Sequence, residues 1–401
     1  MTLGQPRDPH EDRSGAQHVP PQPGGRRYEH LYLHVPFCAR RCSYCDFAIA
    51  VRRDVPWHQF AQAVSRECEI RRVGECSGML RTVYLGGGTP SRLGADGVAA
   101  TLHALRDHVA WTDDAEVTLE ANPEDISADV VARWRAAGVN RLSIGIQSFD
   151  DLVLSWMHRV HDAAGAATAV REARRGGMVD FSLDLIFATP DRLARDWAAD
   201  LERAIALEPA HISLYGLTVE PQTPLGRWHA RGQEQEAPEE RYEREFLLAH
   251  ETLRAAGYEH YEVSNFARPG HRARHNSAYW RGVPYLGLGP SAHGFDGRTR
   301  RWNRDAFTAW ERALGTLTDP IGGEEMLTSE NQLAEQVYLG LRTVDGLAVS
   351  TVEVAHVDAW RRAGWVEVVD DAGGARLVCT PHGWLRLDSL AADLTAFRSR
   401  S

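Results

Sequence analysis

From Tyr28 onward, short runs rich in β-branched and aromatic residues alternate with longer amphipathic segments. Leu31–Val35, Thr82–Leu85, Glu116–Glu120, Arg141–Ile146, Phe181–Phe187 and His211–Leu217 have strand length and strand composition. Between them, Trp57–Arg72, Val98–His108, Asp129–Ala137, Ala163–Arg175 and Leu193–Leu207 carry apolar residues at helical spacing. Strands alternating with helices predict α/β architecture around a parallel sheet. Several runs end in polar or glycine-rich segments: HVPFC, LGGGTP, LEANPE, IGIQSF, LDLIF and LYGLTVE. Parallel β/α folds place their chemistry at these C-terminal strand ends, whether the sheet closes into a barrel or stays open.

The pattern is absent from residues 1–27, which are rich in Pro, Gly and polar side chains and read as a disordered tail. Residues 226–240 read as a polar connection, followed by a helix at Arg241–Ala256, a run at Tyr261–Phe266 and a loop-rich segment to about residue 300. Beyond about 320 the pattern changes to a helix near Glu330–Leu341, a break at Gly346, a helix near Val352–Ala363 and two short strands around an Asp371–Gly374 turn. Helix, helix and hairpin suggest a small α+β domain of winged-helix type. The expected division is a tail at 1–27, a β/α unit at 28–225, an extension at 226–318 and a C-terminal domain at 319–401.

Composition narrows the class. The chain has 401 residues, 43% apolar and 25% charged, which fits a globular protein with a large core. No apolar stretch reaches the roughly 18–20 residues of a membrane span, and no apolar N-terminal signal segment is visible, so a cytoplasmic location is expected. The net charge of −10 argues against a nucleic-acid partner. There is no lysine, so all 45 basic residues are Arg. That removes Schiff-base, phosphate-loop and Ser-x-x-Lys chemistries.

Cys38, Cys42 and Cys45 share one short loop, within HVPFCARRCSYCDF. Clustered thiolates suit zinc or an iron–sulfur cluster. Zinc would want a fourth donor, with His34 nearest. A four-iron cube held by only three cysteines leaves one iron open, which suits coordination of a substrate. Spacing alone leaves both readings standing. Gly86-Gly87-Gly88-Thr89-Pro90 follows the next strand, and successive glycines let backbone approach a ligand closely. Taken alone, a triple glycine is a weak signal and a plain turn is its ordinary reading. Cys68, Cys76 and Cys379 read as incidental, and His158, His161 and His271 as surface or loop histidines.

Together, the cysteine loop and LGGGTP resemble the radical S-adenosylmethionine (SAM) superfamily, whose fold is a partial (β/α)6 barrel of TIM type. The resemblance implies a [4Fe-4S] cluster on Cys38, Cys42 and Cys45, with SAM chelating the open iron. It places Gly87, Gly88 and Thr89 at the amino group of SAM. The match extends into the coproporphyrinogen-oxidase-like branch over roughly residues 28–300. There, Tyr32 matches a tyrosine ahead of the loop, and Tyr44 an aromatic between the second and third cysteines. Glu120, Gln147, Arg159 and Asp184 match polar SAM contacts, and Gly216 and His293 match weaker positions near the adenosyl group. A buried Asp184 would itself need partners.

Two features choose within the branch. Coproporphyrinogen dehydrogenases resemble CxxxCxxCxC, whereas Phe47 stands at that last position here. His275-Asn276-x-x-Tyr279-Trp280 resembles the HNxxYW signature of the branch's heme chaperones. On a helix, His275 and Tyr279 fall on one face, and His275 is the candidate heme ligand, with Tyr279 and Trp280 as aromatic walls; a capped helix with aromatic core residues is the alternative. The resemblance thus implies a protein that binds heme and transfers it to acceptor hemoproteins such as respiratory enzymes. It also implies an electron donor for the cluster and peripheral membrane contact through the acceptors. The alternative is an oxygen-independent coproporphyrinogen III dehydrogenase that forms protoporphyrinogen IX.

Overall fold

The two faces of each central strand carry different residues, and that difference builds the fold. In the computed structural model, which describes residues 28–371 and 373–400, the strands are β1 (Tyr28–Val35), β2 (Ser77–Gly87), β3 (Trp111–Ala121), β4 (Arg141–Gln147), β5 (Phe181–Phe187) and β6 (His211–Gly216). The expected tail, 1–27, lies outside the described residues. All six strands pair in sequence order and in parallel. One face presents Leu31, Leu33, Val83, Leu85, Val117, Leu119, Leu142, Ile144, Leu183 and Ile212, all buried in a single apolar cluster. Phe60, Val64, Val98, Leu102, Val131, Trp134, Val170 and Leu201 complete that cluster from the connecting helices.

Those helices are α1 (Trp57–Ile70), α2 (Gly94–Arg106), α3 (Ala128–Ala137), α4 (Ala163–Arg175) and α5 (Trp197–Ala206). Ser127, Asp162 and Asp196 cap the last three by accepting backbone N–H groups of Val130, Gly165 and Ala199. The Asp196 cap explains why α5 starts at Trp197 and not at the expected Leu193. Where a polar connection was expected, Thr223 caps a short helix, α6 (Pro224–Ala230), with Pro224 in its first turn. Helix α7 (Glu239–Ala255) follows.

The run expected at Tyr261–Phe266 is a hairpin, β7 (Glu259–Glu262) and β8 (Asn265–Ala267), whose second strand pairs antiparallel with β6. Helix α8 (Arg274–Trp280) carries the HNxxYW segment. Strand β9 (Leu286–Leu288) then returns to the other edge and pairs parallel with β1, which completes a nine-stranded sheet. The segment expected to be loop-rich forms a further antiparallel sheet of His293–Phe295, Thr299–Asn303 and Ile321–Met326. The expected boundary at 318/319 falls inside this sheet.

C-terminal to it, Ser329–Arg342, two short helices and the hairpin Val366–Asp371/Gly374–Cys379 have the helix–helix–wing order expected. The single helix expected over Val352–Ala363 is two, Thr351–His356 and Asp358–Arg362, because the chain bends at the wholly buried Val357.

One buried carboxylate ties the extension to the barrel. Glu67 of α1 is fully buried. It accepts hydrogen bonds from Arg71 (2.9 Å) and Asn303 (2.6 Å) on Oε1, and from Gly289 N–H (2.9 Å) and Trp310 (2.9 Å) on Oε2. Truncation strands these donors and leaves Arg71 without its counter-ion. Glu67→Ala is therefore expected to cost about 3–5 kcal/mol, read as a lowered midpoint of denaturant unfolding. A midpoint unchanged from wild type would contradict this role.

Candidate cofactor site

Side chains alternate along a strand, so the residues between the apolar positions face the barrel interior. Here they are polar: His30 and His34 on β1, Thr82 and Tyr84 on β2, Glu116, Thr118 and Glu120 on β3, Ser143 on β4, Ser182 and Asp184 on β5, and His211 and Ser213 on β6. Barrels of this kind are ordinarily filled with branched apolar side chains. At the C-terminal strand ends this interior opens into a cavity of about 460 Å³. Cys38, Cys42, Tyr44, Cys45, Gly87, Gly88, Thr89, Glu120, Gln147, Arg159, Asp184 and Gly216 all line it.

The cysteine loop leaves β1 and is pinned at three places. Phe37–Cys38 pairs with Ala50–Val51, Ser43 N–H donates to the Met157 carbonyl, and Leu225 N–H donates to the Ser43 carbonyl. All three thiols are free. Cys38 Sγ lies 3.4 Å from the Thr89 hydroxyl, and Arg159 donates to Cys42 Sγ at 3.6 Å. Burial pushes the Cys38 thiol up and that of Cys45 up to about 11, so holding them as thiolates requires added positive charge.

His34 is not a fourth donor. Its Nε2 bonds the Ala48 carbonyl (2.9 Å) and its Nδ1 the Tyr32 hydroxyl (3.1 Å). Among the described residues, no three His, Cys, Asp or Glu side chains converge on one ion position. A polynuclear cluster takes each thiolate at a different metal, so three thiols spread around a cavity fit it better than they fit zinc.

The glycine loop is more than a turn. Gly87 has φ +111°, and a Cβ there would lie 2.4 Å from the His34 ring. A Cβ on Gly88 would lie 2.7 Å from the Pro36 backbone. Only glycine lets this loop lie so close to β1.

Across the cavity stand two carboxylates. Glu120 accepts from the Tyr84 hydroxyl (2.8 Å) and from Gly87 N–H (3.0 Å). Burial, reinforced by Asp184, pushes it up to about 7 against those hydrogen bonds. Asp184 accepts from Ser143 (2.8 Å) and Ser182 (3.1 Å), and burial raises it too. Among the described residues neither sits in a close ion pair, although the buried Arg141 guanidinium pulls Asp184 down against its burial. Arg159, also on the cavity wall, donates to Asn122 (2.7 Å) and to the Gly145 carbonyl (2.6 Å) at the ends of these same strands. Gln147 and His158, both on the cavity wall, have left-handed backbone (φ 71° and 60°), an uncommon conformation for such residues.

Five sequence candidates lie elsewhere. Tyr32 faces the barrel interior but does not line the cavity; its ring stacks on Tyr84 at 6.1 Å. His293 is exposed on the antiparallel sheet and stacks on Trp302. His275, only 1% exposed, sits at the opposite end of the barrel. Its Nδ1 bonds Thr82 (2.7 Å) and its Nε2 bonds Tyr279 (2.8 Å), so neither nitrogen is free for iron in this arrangement. Trp280 lies under the Arg342 guanidinium at 4.1 Å. His271 is half-exposed, as expected, but His158 lines the cavity and His161 is buried against the Ile146 carbonyl. Asn122, Ser143 and Tyr215 line the site without having been singled out. Strand parity was the available signal, because each lies two residues from an inward-facing polar position.

The barrel and cysteine loop define a class: residues 32–204 match the radical SAM superfamily. Over 383 residues the chain is 37% identical to the heme chaperone HemW of Mycobacterium tuberculosis, covering 95% of this chain and 97% of the relative. It is 34% identical to the heme chaperone HemW of Bacillus subtilis, over 79% of this chain and 84% of that one. Coproporphyrinogen III oxidase (HemN) from Escherichia coli, a radical SAM enzyme, shares the fold with a TM-score of 0.76 at 22% identity, covering 92% of this chain and 90% of that one. The chain belongs to the HemW family of radical SAM proteins.

Membership implies a [4Fe-4S] cluster and SAM, and the residues present fit both. Three thiols without a fourth donor suit a cube with one open iron. Two buried carboxylates outside any close ion pair suit a ligand that carries an ammonium and a sulfonium. Cys42→Ser should therefore lose most of the iron and acid-labile sulfide that the wild-type chain takes up on anaerobic reconstitution. A full complement in the variant would remove Cys42 from the ligand set.

Proposed function

We propose that this chain binds heme and hands it to acceptor hemoproteins, while holding a [4Fe-4S] cluster and SAM at the barrel mouth. The end-to-end relation to the M. tuberculosis heme chaperone carries this reading, because it spans the barrel, the extension and the C-terminal domain alike. Phe47 supports it. At the position of a further cysteine in the dehydrogenase pattern stands an aromatic ring, 59% exposed, on the cavity rim. Val160 and Tyr215 are also exposed there, and Leu217 lies beside them. An apolar rim of this kind suits a planar macrocycle.

In this reading Cys38, Cys42 and Cys45 hold the cluster, and Gly87, Gly88, Thr89 and Glu120 take the ammonium of SAM. Arg159 faces its carboxylate, Asp184 adds negative charge toward the sulfonium, and Tyr44, Gln147 and Gly216 close the walls. Cluster and SAM together supply one-electron cleavage of a carbon–sulfur bond, which calls for an external electron donor. Among the described residues no helix is long and apolar enough to cross a membrane. A cytoplasmic chain would meet membrane-bound acceptors, such as respiratory enzymes, at the membrane surface.

Hemin titration of the anaerobically reconstituted protein should give a saturable Soret band. Coproporphyrinogen III with SAM and reductant should yield no protoporphyrinogen IX. Catalytic porphyrin turnover would replace this reading with the dehydrogenase. The Glu120 assignment has its own pH signature. Protonation removes the charge that meets the ammonium, so SAM affinity should weaken as pH falls through about 7. Glu120→Gln should bind SAM weakly and without that dependence, and an unchanged pH profile in this variant would contradict the role.

A further inference from the structure

The HNxxYW segment is built into the floor of the barrel, and its contacts lead upward to the SAM cavity. Glu116 of β3 accepts the backbone N–H groups of Arg274 and His275, both at 2.9 Å, which fixes where α8 enters. Thr82 bridges the Nδ1 atoms of His275 (2.7 Å) and His30 (2.9 Å). His275 Nε2 is held by the Tyr279 hydroxyl, and the Tyr279 ring packs edge-on against Tyr285 at 4.5 Å. The upper face of His275 stacks on Tyr84 at 5.1 Å and 26°. Tyr84 in turn donates to Glu120, whose other oxygen receives Gly87 N–H. The fit is tight, since a Cβ on Gly86 would lie 2.8 Å from the Tyr84 ring and 3.0 Å from Glu120 Oε1. A continuous path of hydrogen bonds and one stacked ring pair therefore joins the signature helix to the glycine loop.

We propose that His275 and Tyr279 are positioning residues that hold Tyr84, and through it Glu120 and the glycine loop, in the geometry that binds SAM, and that they do not ligate heme iron. The proposal rests on the cavity holding SAM, as read above. It does not depend on where heme binds, beyond excluding His275. Both ring nitrogens of His275 are committed to neighbours on rigid elements, and the ring is sealed between Thr82, Tyr84 and Tyr279. A heme reaching it would have to displace the floor of the barrel.

The test uses full-length, anaerobically reconstituted protein carrying Tyr279→Phe or His275→Gln. Tyr279→Phe removes one hydroxyl and keeps the packing, so it remains informative if the histidine variant folds poorly. Cluster iron confirms that each variant is loaded. SAM affinity is read by equilibrium dialysis and by the change SAM causes in the electron paramagnetic resonance spectrum of the reduced cluster. Loss of one hydrogen bond in this path should weaken SAM binding roughly three- to tenfold and alter that spectrum. Hemin affinity and the Soret maximum should match wild type. Unchanged SAM affinity in the variants, or a lost or shifted Soret band, overturns the proposal. A wild-type chain that binds no SAM at all removes the cavity reading, and the proposal with it.

Discussion

Two buried carboxylates inside a barrel, held outside any close ion pair, set the terms for the rest of this molecule. Glu120 and Asp184 are kept in place by hydroxyl and backbone donors and not by ion pairs. Such an arrangement leaves negative charge facing a cavity, at a cost that a cationic ligand offsets. The thiols on the opposite wall have the complementary need, since burial disfavours their charged form until a metal centre supplies positive charge. A cavity with these two demands suits a metal cluster at the thiols and a sulfonium-bearing amino acid at the carboxylates.

The polar inner face that makes this possible changes how the barrel is stabilised. Its apolar packing lies almost wholly between the sheet and the outer helices. Inside, order comes from hydrogen-bonded chains: His30–Thr82–His275–Tyr279 at the floor, and Tyr84–Glu120–Gly87 above it. Polar networks of this kind are costly when broken and specific when complete. That property suits a site whose glycine loop must hold a fixed position against β1.

Much of this was legible in the sequence. The strand–helix alternation fixed six parallel strands nearly in place, and the cysteine spacing and glycine run located the two sides of the site. Boundaries decided by a single cap, such as Asp196 ahead of α5, were displaced by a few residues. The turn that makes the expected 261–266 run a hairpin, and the sheet at 293–326, were missed because their strands are only three to six residues long, too short for a periodic signal. His275 shows the limit of motif reading. Helical spacing correctly put it beside Tyr279, but whether the pair faces a ligand or seals a barrel depends on Thr82 and Tyr84, nearly two hundred residues earlier in the chain. His158 failed in the other direction, since a loop histidine became a wall of the cavity.

In the proposed reading an open iron would join the two sides of the site, and Mössbauer spectroscopy of protein reconstituted with 57Fe tests for it directly. A [4Fe-4S] spectrum in which one iron becomes distinct from the other three when SAM is added is the expected result. A cluster whose irons are all insensitive to SAM, or a chain that takes up zinc in place of iron and sulfide, would contradict the assignment.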